Sequence, residues 1–178
     1  LSANELKELK ALSKVLNYKG IDGAGDLVSA DVVSMDGTNW MNIFTIDCGS
    51  ESGVKQGSIV ICGDGLVGRG NSVGKGWAKV TSLIDESSKI SFKISGNLQL
   101  IGVVEGSADG KLSGFMLDNK AKVSEGDKII TSGMGMYPAG IEIGKVTKVK
   151  YDSNAQLQKV TIKPSVEFKS LQKVSVIL

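Results

Sequence analysis

One short unit recurs in this chain, and it limits what the rest can become. Val54-Lys55-Gln56-Gly57-Ser58-Ile59-Val60-Ile61 has a later counterpart in Val123-Ser124-Glu125-Gly126-Asp127-Lys128-Ile129-Ile130. Each is followed by a glycine-rich turn and then by a run carrying Gly68-Arg69 or Gly144-Lys145. A short apolar run bounded by glycine reads as a strand, so a small β unit is used twice. The second copy leads into Thr131-Ser132-Gly133-Met134-Gly135-Met136-Tyr137-Pro138-Ala139-Gly140, which holds one of only two prolines. Alternating runs flank this stretch on both sides, so it reads as a structured loop between strands.

Composition agrees with a chain of many strands. Of 178 residues, 23 are glycine and 5% are aromatic, which suits short strands and tight turns better than a helical bundle. The chain is long enough for one domain or two small ones, and 41% apolar residues supply a core in either case. A net charge of +2 and a single arginine, Arg69, give little support to a nucleic-acid partner. With no histidine, Ser-His-Asp and Cys-His chemistry and the commonest metal ligand are excluded. Cys48 and Cys62 are too few for a disulfide scaffold or a four-cysteine zinc site, and remain either buried thiols or one bridge. No metal or cofactor is therefore expected. No apolar run is long enough to span a bilayer, and a chain beginning at Leu1 is expected to be a fragment of a longer one.

In chain order, Leu6, Leu9, Leu12, Val15 and Leu16 recur at spacings of three and four, which predicts an amphipathic helix over residues 1–19. Its stripe fits either a helix packed on the domain or the end of a dimeric coiled coil, with Leu6, Leu9, Leu12 and Leu16 as the self-association face. A linker follows at 21–26. Leu27–Met35 and Met41–Asp47 flank the turn Asp36-Gly37-Thr38-Asn39 and read as a hairpin. Strands are then predicted at 58–62, 66–73, 78–84, 89–95, 99–105, 111–118, 128–131, 141–151, 157–163 and 173–178, with a helical turn at 166–171. About a dozen short strands are most simply arranged as closed barrels, because closure leaves no unpaired edge.

Several motifs tempt and fail. Gly63-Asp64-Gly65-Leu66-Val67-Gly68 spells a dinucleotide fingerprint, but Arg69-Gly70-Asn71-Ser72 opens no helix to receive a pyrophosphate. Gly70 to Gly76 resembles a phosphate loop with the wrong spacing. Asp47, Asp64, Asp85 and Asp127 sit beside glycine-rich turns, where aspartate ordinarily bonds turn backbone; Asp47 and Asp127 are nevertheless the candidates for a glycosidase-like hydrolase. A ligand-binding barrel would rely on Trp40 and Trp77. Met134, Met136 and Tyr137 are more apolar than a turn requires, so with Leu66 they are the candidate partner-binding residues.

The ordered set Trp40, Ile46-Asp47, Gly49, Gly53-Val54, Gly57, Gly65-Leu66-Val67-Gly68-Arg69, Gly126-Asp127, Thr131-Ser132-Gly133, Pro138-Ala139-Gly140-Ile141, Ile143-Gly144-Lys145-Val146, Pro164, Leu171 and Val174 resembles the rod shape-determining protein MreC family over residues 27–178. Gly70 stands where that family usually has a branched apolar residue, and Tyr137 where phenylalanine is usual. The resemblance implies a protein anchored by one membrane span, with a coiled coil and two small β-barrels outside the cytoplasmic membrane. It also implies a scaffold without catalytic activity, which self-associates as a homodimer or larger assembly. Its implied partners are a class B penicillin-binding transpeptidase, MreD, MreB and RodZ. The expected architecture is an N-terminal α-helix followed by an all-β part of two barrels. Residues 20–75 completed by 140–178 would form the first, and residues 76–139 the second.

Overall fold

The computed structural model describes Ala3 and residues 27–35, 42–107 and 111–178. The expected helix residues Leu6, Leu9, Leu12 and Leu16, the linker 21–26, the turn at 36–39 and Trp40 lie outside the described residues. Those described form an all-β chain. Its strands are β1 (Leu27–Met35), β2 (Ile43–Ile46), β3 (Ile59–Cys62), β4 (Gly65–Val73), β5 (Ala78–Ser82), β6 (Lys89–Ile94), β7 (Asn97–Gly106), β8 (Leu112–Met116), β9 (Lys128–Thr131), β10 (Glu142–Asp152), β11 (Leu157–Pro164) and β12 (Lys173–Ile177). Single 3-10 turns occur at Ser50–Ser52 and Phe168–Ser170.

The strands close into two six-stranded barrels, ordered β1-β12-β3-β4-β5-β2 and β10-β11-β8-β7-β6-β9, with every neighbouring pair antiparallel. Alternation decides which side chains fill them. In β6, Ile90, Phe92 and Ile94 are buried while Lys89 is exposed and Ser91 and Lys93 are half-buried. Phe44, Ile46, Val60 and Val80 fill the first barrel, and Phe92, Leu112, Met116 and Ile129 the second.

The two rings have one order once β1 to β5 are matched with β7 to β11. The remaining places, between β1 and β3 and between β7 and β9, are taken by β12 and β6. The second barrel is thus six consecutive strands, β6 to β11, and the first is β1 to β5 closed by β12 from the far end of the chain. The chain leaves β5 and enters the second barrel as β6, then leaves β11 and returns to the first as β12.

This pairing corrects the division expected from sequence. The first barrel extends through β5 to Ser82, beyond residue 75, and β10 and β11 stay in the second barrel, so that of the stretch 140–178 only β12 returns. The reason is local: the tight turn between Asp152 and Leu157 makes β10 and β11 a hairpin paired from Gly144↔Pro164 to Asp152↔Leu157, and sequential strands joined by a short turn stay together.

The recurrent unit folds the same way twice. Gly57 and Gly126 have φ of 89° and 91°, a left-handed conformation in which a side chain is strained. The Gly57 N–H donates to the Gly70 carbonyl at 2.9 Å, and the Gly126 N–H to that of Val146 at 2.7 Å. In return the Gly70 and Val146 N–H groups, each at 2.8 Å, reach the carbonyls of Ser58 and Asp127. The turns are closed by Ser58 Oγ accepting from the Lys55 N–H at 2.9 Å and Asp127 Oδ2 from the Ser124 N–H at 2.8 Å. Each unit therefore clips the lead-in of one strand (β3 or β9) to the next strand (β4 or β10).

The barrels meet where β4 and β10 begin. Leu66 and Val67 are successive residues and both are fully buried. A register shift here sets Leu66 opposite Ile61 and Gly68 opposite Val60, which makes Val67 the extra residue of a β-bulge. At Gly65, φ is 148° and an added Cβ would stand 2.4 Å from the Glu142 carbonyl oxygen across the junction. Gly65→Ala is therefore expected to lower stability by about 2–4 kcal/mol through strain and overpacking. Gly76→Ala, which meets nothing within 4 Å, should stay within about 0.5 kcal/mol of the parent. Denaturant melts of both variants check this, and equal melts would show that the junction yields freely.

Candidate functional site

The loop between β9 and β10, residues 132–141, is where the sequence concentrates its unusual residues, and backbone bonds hold it in one shape. Thr131 is its clasp. Its N–H donates to the Ile141 carbonyl at 2.8 Å and its carbonyl accepts from Gly140 at 2.9 Å. Its buried hydroxyl donates to the Pro138 carbonyl at 2.5 Å and accepts from the Ile141 N–H at 2.9 Å. Ser132 ties the loop to β6, with its N–H on the Ser91 carbonyl at 3.1 Å and its hydroxyl on Ser91 Oγ at 2.8 Å. Gly133, Gly135 and Gly140 take φ between 86° and 93°, which lets so short a loop reverse repeatedly.

The sequence candidates separate on this frame. Met134 and Met136 are 59% and 56% exposed, Tyr137 only 7%, and Leu66 not at all. Leu66 and Tyr137 are thus corrected as contact residues for a partner, because both are buried within this chain. Met134 Sδ lies 4.0 Å from Ser91 Oγ, and Met136 Sδ lies 3.9 Å from Arg69 Nη1 on β4. The loop of the second barrel therefore reaches the first. Burial pushes the Tyr137 phenol above its ordinary pKa, opposed in part by the Arg69 guanidinium. Sequence reasoning missed Arg69 as a junction residue, although its being the sole arginine marked it out.

Asp64, Asp85 and Asp127 lie in turns, while Asp47 ties the end of β2 to β1. Asp47 Oδ1 accepts the Asp31 N–H at 2.7 Å. Asp85 accepts from Ser87 N–H at 3.0 Å, from the Ser87 hydroxyl and from Asn42 Nδ2 at 3.2 Å. Asp127 closes the second repeat turn, and Asp64 lies in the β3–β4 turn. Asp47 and Asp127 belong to different barrels and are engaged with backbone, an arrangement unlike the facing carboxylates of a glycosidase. Among the described residues no three His, Cys, Asp or Glu side chains are grouped as metal ligands. Cys48 and Cys62 are not bridged to each other. Cys48 donates to the Ser29 carbonyl at 3.2 Å, and burial, then Asp47, push its pKa up, which leaves it a weak nucleophile. Trp77 is 44% exposed with its indole stacked close to Gly74, where a Cβ would be 2.2 Å from Nε1.

With this geometry in view, comparison with known proteins is informative. The family model "Rod shape-determining protein MreC, barrel core" matches residues 32–178. The cell shape-determining protein MreC of Listeria monocytogenes is 34% identical over 176 residues, covering 96% of this chain and 60% of that protein. The solved structure of MreC from Listeria monocytogenes superposes with a TM-score of 0.78 at 32% identity, over 98% of this chain and 87% of that one. A complex between penicillin-binding protein PBP2 and MreC from Helicobacter pylori superposes with a TM-score of 0.64 at 15% identity, over 85% of this chain and 99% of that one, which bears on fold alone. The chain spans about 60% of the length of the first curated relatives it matches.

The buried phenol sets a pH dependence. A raised pKa means that folding favours the neutral form, so this contribution is complete below about pH 10 and is lost as pH rises through the folded value. Tyr137→Phe removes the ionisable group while keeping the ring. Urea melts at neutral and strongly alkaline pH should show the variant losing less stability on the alkaline side than the parent. Parallel losses would mean that the hydroxyl reaches water.

Proposed function

Since the chain belongs to the MreC family of rod shape-determining proteins, we infer that it works by binding, as a non-catalytic scaffold of the bacterial cell-elongation machinery outside the cytoplasmic membrane. The single observation that supports this most directly is the loop between β9 and β10. Its backbone is clasped at both ends while Met134 and Met136 stand 59% and 56% exposed. Water-exposed methionines on a preorganised loop favour association, because they bring polarisable apolar surface and little ordering of backbone is left to oppose binding.

The partner of first choice is a class B penicillin-binding transpeptidase, by analogy with the Helicobacter pylori MreC found in a complex with PBP2. MreD, MreB and RodZ, self-association through Leu6, Leu9, Leu12 and Leu16, and a single-pass membrane anchor follow from family membership as further proposals. Among the described residues no helix is long and apolar enough to cross a membrane, so an anchor would have to be supplied elsewhere.

Met134→Ala combined with Met136→Ala should weaken binding of the cognate transpeptidase by roughly tenfold to a hundredfold, as loss of two interface side chains does. Because both are exposed, the melting temperature should hardly move. Surface plasmon resonance with the soluble transpeptidase domain measures the first and calorimetry the second. Unchanged affinity with an intact fold would discard the loop as the contact surface.

A further inference from the structure

Outward-facing lysines collect on one side of the second barrel. Strands β9, β10 and β11 hold Lys128, Lys145, Lys148, Lys150, Lys159 and Lys163, all exposed, against the carboxylates Glu142 and Asp152. Six positive and two negative charges leave a local excess of four, whereas the whole chain carries +2. The register sharpens the crowding: Lys145 is directly opposite both Lys163 and Lys128, and Lys150 is directly opposite Lys159. Lys128 is compensated by Glu142 at 3.0 Å and Lys159 by Asp152 at 3.2 Å. Among the described residues, Lys145, Lys148, Lys150 and Lys163 have no carboxylate within ion-pair distance. Like charges facing one another across a ladder oppose pairing, so folding alone gives no reason for this arrangement.

The face is also shaped. A groove of about 440 Å³ crosses it, with Lys148, Lys150 and Lys159 along one side, Phe115 half-buried in its lining and the hydroxyl residues Ser113 and Thr161 between them. Glu105 closes the far wall and is 4.0 Å from Lys89. A flat anionic bilayer could touch the lysine tips but would not fill a groove lined by an aromatic ring. An extended peptide could do both, because its alternate side chains repeat every ~7 Å on one face, the spacing between same-face lysines of a strand such as Lys148 and Lys150. The strands that floor the groove are paired with one another, β10 with β11 and β11 with β8, so recognition there falls to side chains.

We propose that the lysine face of β10 and β11 is a docking groove for an extended acidic protein segment, its carboxylates on Lys148, Lys150 and Lys159 and an apolar residue over Phe115. This surface is separate from the methionine loop and does not depend on the assignment of that loop.

The test uses the folded chain and a short fluorescent peptide alternating glutamate with valine, followed by anisotropy. The triple variant Lys148→Gln, Lys150→Gln, Lys159→Gln should weaken binding at least about tenfold. The control triple Lys55→Gln, Lys75→Gln, Lys169→Gln removes the same charge from exposed lysines elsewhere and should leave binding within about twofold. Equal losses in the two variants would reduce the effect to net charge and overturn the groove. So would equal binding of a peptide of the same composition with its glutamates in one block, or a loss seen on phosphatidylglycerol vesicles but not on the peptide. Thermal melts give an independent reading: Lys150→Gln relieves the opposition to Lys159 and should melt at or above the parent temperature. A lower melt would mean that Lys150 is held by contacts within the barrel, which also overturns the proposal.

Discussion

The fold depends on closure of each five-strand run by a sixth strand, adjacent in sequence for the second barrel and from the far end of the chain for the first. In the first barrel β12 fills the gap between β1 and β3, with Ser175 opposite both Ser29 and Ile61. In the second, β6 fills the gap between β7 and β9, with Lys93 opposite both Ile101 and Ile130. Without its sixth strand, either run is an open sheet with two free edges and an uncovered apolar face, the form most prone to pair with other chains. The second barrel closes within the consecutive strands β6 to β11, whereas the first cannot close until β12 returns from beyond them. Completion of the first is thus coupled by connectivity to the barrel inserted between β5 and β12, before any contact between them is counted.

Contact adds to that coupling at one place. Leu66 and Val67 are both fully buried at the start of β4, Gly65 lets the β10 backbone approach, and Tyr137 and Met136 bring the β9–β10 loop onto Arg69. The single arginine is well suited to this position, since a guanidinium is more weakly hydrated than an ammonium and lies against sulfur and aromatic surface with less desolvation loss. The same loop therefore does two things with adjacent residues. Tyr137 is folded into the junction, and the flanking methionines are turned to water by glycines at 133, 135 and 140.

Most of this was readable from sequence where alternation or repetition carried the signal. The strand runs, the β1–β2 hairpin, the recurrent Gly57 and Gly126 turns and the turn near Phe168–Ser170 follow from period-two burial and glycine placement. The membership of β5, β10 and β11 did not, because ring order is set by long-range pairing, which local pattern does not encode. Leu66 and Tyr137 look the same in sequence as Met134 and Met136. Only the packing of one barrel on the other separates buried from exposed among them. The crowding of lysines was hidden for a related reason: they are spread along the sequence, and it is the cross-strand register that places Lys150 against Lys159 and Lys145 against Lys163.

The two outward surfaces differ in the physics by which each would hold a partner. Apolar contact through Met134 and Met136 rests on removing side chains from water and changes little with salt. Attraction at the lysine groove acts between partly solvated charges and weakens as the screening length contracts to roughly 8 Å near physiological ionic strength. A scaffold with one surface of each kind can bind two proteins without competition, since an acidic segment gains nothing from the methionines and an apolar patch gains little from the lysines. Strand β10 links them: it begins at the junction beside Gly65 and ends among the lysines at Lys150. Its ladder to β11 is continuous apart from one bulge near Thr147. A partner seated on either surface therefore bears on the same hairpin. The closed ring resists deformation, so two partners seated on these surfaces would be held at a fixed separation.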